Sequence, residues 1–142
     1  MKPIGLVNCI VTIDAMGCQK EIARTIRESQ ADYILAVTGN QPTLATTITQ
    51  FFDDMEKHEA DGITFEHHET LDRKRGRLER RLYWLAPAPA SLTASEEWKD
   101  LRTIGMVISE RTIDDKTTRE TRYYISSIAN EVTEFSRAVR AH

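Results

Sequence analysis

The side chains able to do chemistry fall in two places. Asp14 closes the apolar run VNCIVTID and stands directly before the small-residue turn AMGCQ. A carboxylate at the carboxyl edge of a buried strand is where open α/β sheets place ligands and reacting groups, and the same residue can equally cap the helix that follows. A hard divalent ion takes several oxygens, so one carboxylate does not make a site. Residues 73–81, RKRGRLERR, hold Arg73, Lys74, Arg75, Arg77, Arg80 and Arg81, with Glu79 the only acid. Cations so concentrated suit phosphate contact through counterion release; the plainer reading is the solvated arm of a hairpin. Gly76 suits a turn that presents them.

Other motifs point nowhere so specific. His67 and His68 lie in FEHHET, but adjacent side chains on a strand face opposite ways and no H-x-x-x-H spacing occurs, so the pair does not share an ion. Cys9 and Cys18 match neither a redox pair nor a zinc knuckle and are expected to be reduced thiols. TGNQPT has a single glycine, and G-x-x-x-x-G-K, G-x-G-x-x-G and G-x-S-x-G are all missing, which removes the main support for nucleotide-binding and α/β-hydrolase readings. Asn40 and Gln41 are read as shaping a turn and the start of the next helix.

The elements that must position these groups follow from patterning. A chain of 142 residues is the usual size of one domain, with 40% hydrophobic and 29% charged residues fitting a globular class. Net charge is −3, so any nucleic-acid partner must be met by local charge. No apolar run is long enough to cross a bilayer. MKPIGLVNCIVTID is interrupted by Pro3, Asn8 and Asp14 and reads as a strand, not a signal peptide, which gives the expectation of a cytoplasmic protein without a membrane partner.

Cys18, Ile22 and Ile26 recur every fourth residue as a helix, and Tyr33 to Val37 form the next strand. Strand, helix, strand at this spacing is a βαβ unit with parallel strands. Pro42 opens an amphipathic helix through Leu44, Ile48, Phe51, Phe52 and Met55, fading at Asp61 and Gly62. From Ile63 the pattern turns to period two. RLERRLYWL is a strand with Leu78, Leu82 and Trp84 on one face and Tyr83 and Leu85 on the other, while IGMVIS and TRYYISSI are two more strands joined by a link containing DDKT. Ile128, Val132, Phe135 and Val139 mark a last helix.

Read together, VTIDAMGCQKEIA, ADYILAVTGNQPTL, RLERRLYWL, LRTIGMVISER, RYYISSI and FSRAVRAH resemble consecutive blocks of a bacterial insertion-sequence DDE transposase of the H-repeat-associated branch. The blocks occur in family order and span about Ile10 to His142. The resemblance implies an α/β fold in three parts. Residues 1–60 would be a partial RNase H-like catalytic core of strand, helix, strand and helix; residues 61–127 a β-rich insertion; residues 128–142 the start of the final core helix.

Such enzymes hold two Mg2+ ions on an Asp, Asp, Glu triad for in-line attack at a phosphodiester. Asp14 matches the second aspartate and is therefore the expected catalytic residue and metal ligand. The first aspartate and the glutamate, which sits in a W-x-I-E-N context, match nothing in these 142 residues. Thr38 stands where KGNQ of the family has lysine. The expectation is a fragment or remnant of a longer reading frame that does not cut or join DNA alone. Its implied partner is DNA at insertion-sequence ends, held through Arg73, Lys74, Arg75, Arg77, Arg80 and Arg81. A non-catalytic DNA-binding fragment using residues 73–81 and a small α/β scaffold are the alternatives. The strand edge beside Val11 to Ile13 would stand open to self-association.

Overall fold

The computed structural model describes residues 9–13, 20–38, 42–93 and 97–141. Asp14, Cys18, Asn40 and Gln41 lie outside them, so the readings placed on these four rest on sequence alone. The described elements run β1 (Ile10–Ile13), α1 (Lys20–Glu28), β2 (Asp32–Ala36), α2 (Pro42–Asp53), α3 (Met55–Ala60), β3 (Glu66–Lys74), β4 (Arg77–Pro87), α4 (Ala90–Thr93), β5 (Thr103–Ile113), β6 (Lys116–Ser126) and α5 (Val132–Ala141). The strands form one mixed six-stranded sheet in the order β1-β2-β6-β5-β4-β3.

β1 and β2 pair in parallel, with Val11 opposite Tyr33 and Ile13 opposite Leu35, as the βαβ spacing requires. Helix α1 ends with Gln30 at φ 62, its N–H bonded to Arg27 O and the Ala31 N–H to Ile26 O. That is the crossed pair of a Schellman stop, with glutamine in the left-handed position usually given to glycine. Arg27 then ties three segments together. Its guanidinium donates to Ala31 O, to Asp32 Oδ1 at 3.0 Å and to Asp100 Oδ2 at 3.0 Å.

All other pairings are antiparallel. β6 lies beside β2, with Ile34 opposite Ser126 and Leu35 opposite Ile125, and its other edge pairs with β5 over the whole strand. The β-rich half of the chain thus continues the sheet begun by β1 and β2. Two-residue turns close both outer hairpins: Arg75 (φ 36) with Gly76 (φ 76), and Asp114 (φ 49) with Asp115 (φ 65). Two consecutive left-handed residues match the twist of the strands they join.

Alternation along the strands sorts the core into two layers. Tyr33, Leu35, Ala86, Ile104, Met106 and Ile125 face one way, packed with Ala23 and Ile26 of α1 and Leu44, Ile48, Phe51 and Phe52 of α2. Ile34, Ala36, Tyr83, Leu85, Val107 and Tyr124 face the other way, under Val132 and Phe135 of α5. Trp84 and Leu82 belong to the first layer and Tyr83 and Leu85 to the second, as period two in RLERRLYWL predicts. Gly105 lies between Leu85 and Tyr124 on the α5 face, and the Phe135 ring occupies the place of its missing side chain. Tyr83 and Tyr124 meet that ring edge-on, at centroid distances of 6.4 and 5.6 Å.

Candidate nucleic-acid interface

Beyond the core, β3, β4, β5 and β6 extend as an arm whose residues past Ser109 on β5 and before Arg122 on β6 are mostly exposed. The basic run 73–81 forms the end of β3, the turn and the first half of β4. In register, Lys74, Arg77, Ile113 and Lys116 make the last row of the arm, and Arg73, Leu78, Thr112 and Thr117 the row before it. Directly opposed residues on neighbouring strands share a face.

The turn and the alternation therefore split the six cations. Lys74, Arg77 and Arg81 lie on the α5 face, Arg73 and Arg80 on the opposite one, and Arg75 occupies the turn with Gly76. Arg80 is drawn off by acids from two neighbouring strands: its Nε donates to Glu69 Oε2 at 2.9 Å and its Nη1 lies 3.4 Å from Glu110 Oε1. The hydrogen bond from Arg80 holds the Glu69 carboxyl below its usual range, and the guanidinium is raised in return. A cation so paired is a poor phosphate ligand.

Arg73, Lys74, Arg75 and Arg81 form no ion pair among the described residues. Among the described residues Arg77 has only a long contact to Glu79, 3.9 Å, while Glu79 is bound more closely by Arg111 at 3.2 Å. Clefts flank the turn. One of about 350 Å³ is lined by Asp72, Lys74, Arg75, Arg77 and Glu79, and another of about 470 Å³ brings Asp114 and Asp115 near Arg73 and Arg75. The tip is thus cationic at β3 and β4 and acidic at the β5–β6 turn. Arg111 and Lys116, which join this surface through register, come from distant segments and carry no local signal in the sequence.

The two histidines diverge as adjacent strand residues must. His67 lies against Trp84 at 4.1 Å between ring centroids, and His68 is 6.0 Å from Tyr83 on the other face. Asp14 lies outside the described residues; the strand leading to it, β1, ends at Ile13. Among the described residues no group of three or more His, Cys, Asp or Glu side chains comes together to hold a metal ion. These residues alone do not supply a donor set for magnesium. No described helix is long and apolar enough to cross a membrane.

The chain is 37% identical over 143 residues to the "Putative transposase YncI" of Escherichia coli O157:H7, a match covering 98% of this chain and 36% of that protein. It is 34% identical over 142 residues to the "H repeat-associated putative transposase YhhI" of Escherichia coli strain K12, covering 94% and 36%. The "H repeat-associated putative transposase YbfD" of the same strain is 37% identical over 87 residues, 58% of this chain and 32% of the relative. No family model and no solved structure matches the chain. It spans about a third of the length of these relatives. On these relationships the chain belongs to the insertion-sequence transposases of the H-repeat-associated branch, of which it matches a part.

Proposed function

We propose that these 142 residues are the part of a DNA transposase that carries the second aspartate of a DDE triad, Asp14, and a DNA-contacting β arm, Arg73 to Arg81. The observation that carries the reading is the relationship to transposases across nearly the whole chain. The parallel β1–α1–β2 unit, extended by the antiparallel β6, supports an RNase H-like core as the framework for Asp14. The cations at the arm's tip that lack acid partners support contact with the phosphate backbone. Magnesium would bind at Asp14 only with carboxylates from elsewhere, since one side chain supplies too few oxygens. The chain by itself binds DNA and does not cleave it. The margin of the sheet at β1 is the place for self-association.

Binding of a fluorescent duplex carrying insertion-sequence ends, measured by anisotropy against salt, tests the reading. Affinity falls steeply with salt, and charge reversal of Arg75 and Arg77 to Glu weakens it. Incubation with Mg2+ or Mn2+ gives no nicking; nicking that Asp14→Asn abolishes would show the isolated chain to be active. The acids Asp72, Glu79, Asp114 and Asp115 beside the same clefts favour a second reading, a small α/β scaffold without a nucleic-acid role. A flat salt response would remove the DNA contact, and the scaffold gains ground if neither metal nor DNA shifts the melting temperature.

A further inference from the structure

A groove of about 480 Å³ runs between α5 and β3, lined by His68, Thr133, Ser136, Arg137 and Arg140. Helix α5 crosses the sheet obliquely. Near its start Glu134 feels the charge of Asp32 at the head of β2, and near its end Arg140 lies 3.9 Å from Asp72 on the arm. Arg137 and Arg140, three residues apart, share one helix face. Arg137 forms no ion pair among the described residues, although Glu134 lies one turn before it, and the contact of Arg140 with Asp72 is long and exposed.

The groove opens on the arm face that carries Lys74, Arg77, Arg81, Arg111 and Lys116, against Asp72, Glu79 and Glu120, with Arg111 held by Glu79. On the opposite face Glu69 and Glu110 engage Arg80, leaving Arg73 and Arg119. Strand alternation has thus sorted more of the unengaged positive charge onto the α5 side. Under the groove the Tyr83 hydroxyl is buried with no hydrogen-bond partner among the described residues, and its ring lies 6.0 Å from that of His68.

We infer that the α5–β3 groove is a second anion site, binding the phosphodiester backbone of nucleic acid through Arg137 and Arg140, and that Arg81 and Arg77 continue it as one track to the tip of the arm. The track names the face of the arm that nucleic acid takes. The inference rests on the DNA-contact reading above and adds to it Arg137 and Arg140, which that reading does not include. Thr133 supplies a hydroxyl along the groove wall, that of Ser136 being given to Thr133 O within the helix, and phosphate contacts of this kind position a strand without reading its sequence.

The test is equilibrium binding of two unrelated duplexes, each about 20 base pairs long, at several salt concentrations. In the variant Arg81→Ser/Arg137→Ser the slope of log affinity against log salt becomes shallower by about two, one for each phosphate that is no longer neutralised, and both duplexes weaken by similar factors. Arg119→Ser, which removes the same charge from the opposite face, leaves the slope unchanged. Arg137→Lys keeps it, because a point charge still releases a counterion. If the double variant lowers the melting temperature, Arg137→Ser alone decides, with a slope change of about one. Full affinity and slope in the serine variants, together with weakened binding by the Arg75→Glu/Arg77→Glu protein, would refute the track and leave the tip contact standing. Wild-type protein that binds neither duplex overturns both.

Discussion

Replacing Gly105 by alanine would set a methyl carbon 2.5 Å from Phe135 Cζ, 2.9 Å from Cε1 and 3.1 Å from Cε2. Carbon atoms in good contact sit about 3.5–4.0 Å apart, so the ring must withdraw by about 1 Å. It has little room to do so. Phe135 is fully buried, and its edges are met by Tyr83 and Tyr124. Overpacking of this kind costs about 1–3 kcal/mol. For a domain of this size each kcal/mol moves the melting temperature by about 3–4 °C, so Gly105→Ala should lower it by roughly 3–12 °C. Phe135→Leu creates its own cavity but removes the obstructing ring end. Urea unfolding of wild type, both single variants and the double variant should then show a favourable coupling of about 0.5–3 kcal/mol. A Gly105→Ala protein within about 0.5 kcal/mol of wild type, or a strictly additive double variant, would refute the close approach of α5 to β5.

Two further predictions concern the join between β2 and α5. Ser127 Oγ accepts the buried Tyr33 N–H at 2.9 Å and donates to Asp32 Oδ1 at 2.8 Å; Ser127→Ala should destabilise by about 1–3 kcal/mol in thermal unfolding, while Ser127→Thr, which keeps the hydroxyl, should destabilise less. Burial raises the Glu134 carboxyl above its usual range, aided by its hydrogen bond with Glu131 and the charges of Glu131 and Asp32, and opposed by Arg137. The folded state therefore binds that proton more tightly than the unfolded chain. The cost of ionising Glu134 is complete above its folded pKa and fades as pH falls through it. Glu134→Gln should accordingly raise the melting temperature at neutral pH, and the gain should shrink on acidification; a gain that is constant with pH would show the carboxyl to be unperturbed.

Local pattern makes much of the fold legible. β2, α2, the two-sided β4 and the register of hydrophobic positions in α5 are all visible as period two or period 3.6 in single segments. β3 is less so. Its residues, EHHETLDRK, show no apolar alternation, and it is a strand because β4 pairs with all nine of them. Likewise IGMVIS and TRYYISSI mark only the buried halves of β5 and β6; the exposed halves extend to Ile113 and from Lys116 because a tight turn holds them in register. The placing of β6 beside β2 depends on pairing between distant segments, which no local pattern encodes.

The candidate site shows the same limit. RKRGRLERR announces a cluster of charge, but not that Arg80 is claimed by Glu69 and Glu110 from other strands, nor that the remaining cations divide between two faces. Arg137 and Arg140 stand as a pair on one helix turn. Only the packing of α5 over β3, with Arg140 against Asp72, connects them to the arm.

The seam between β2 and β6 also sets an order on synthesis. Tyr33 and Ser127, which bond across it, are 94 residues apart in the chain. At about 5–20 residues per second, a ribosome takes several seconds to deliver the second partner after the first has emerged. Throughout that interval Tyr33, Ile34, Leu35 and Ala36 form an apolar strand awaiting the neighbour that covers one of its edges. A chaperone able to hold an extended hydrophobic segment has its natural substrate there, and slowing translation between residues 37 and 126 would lengthen the period in which the nascent chain can aggregate.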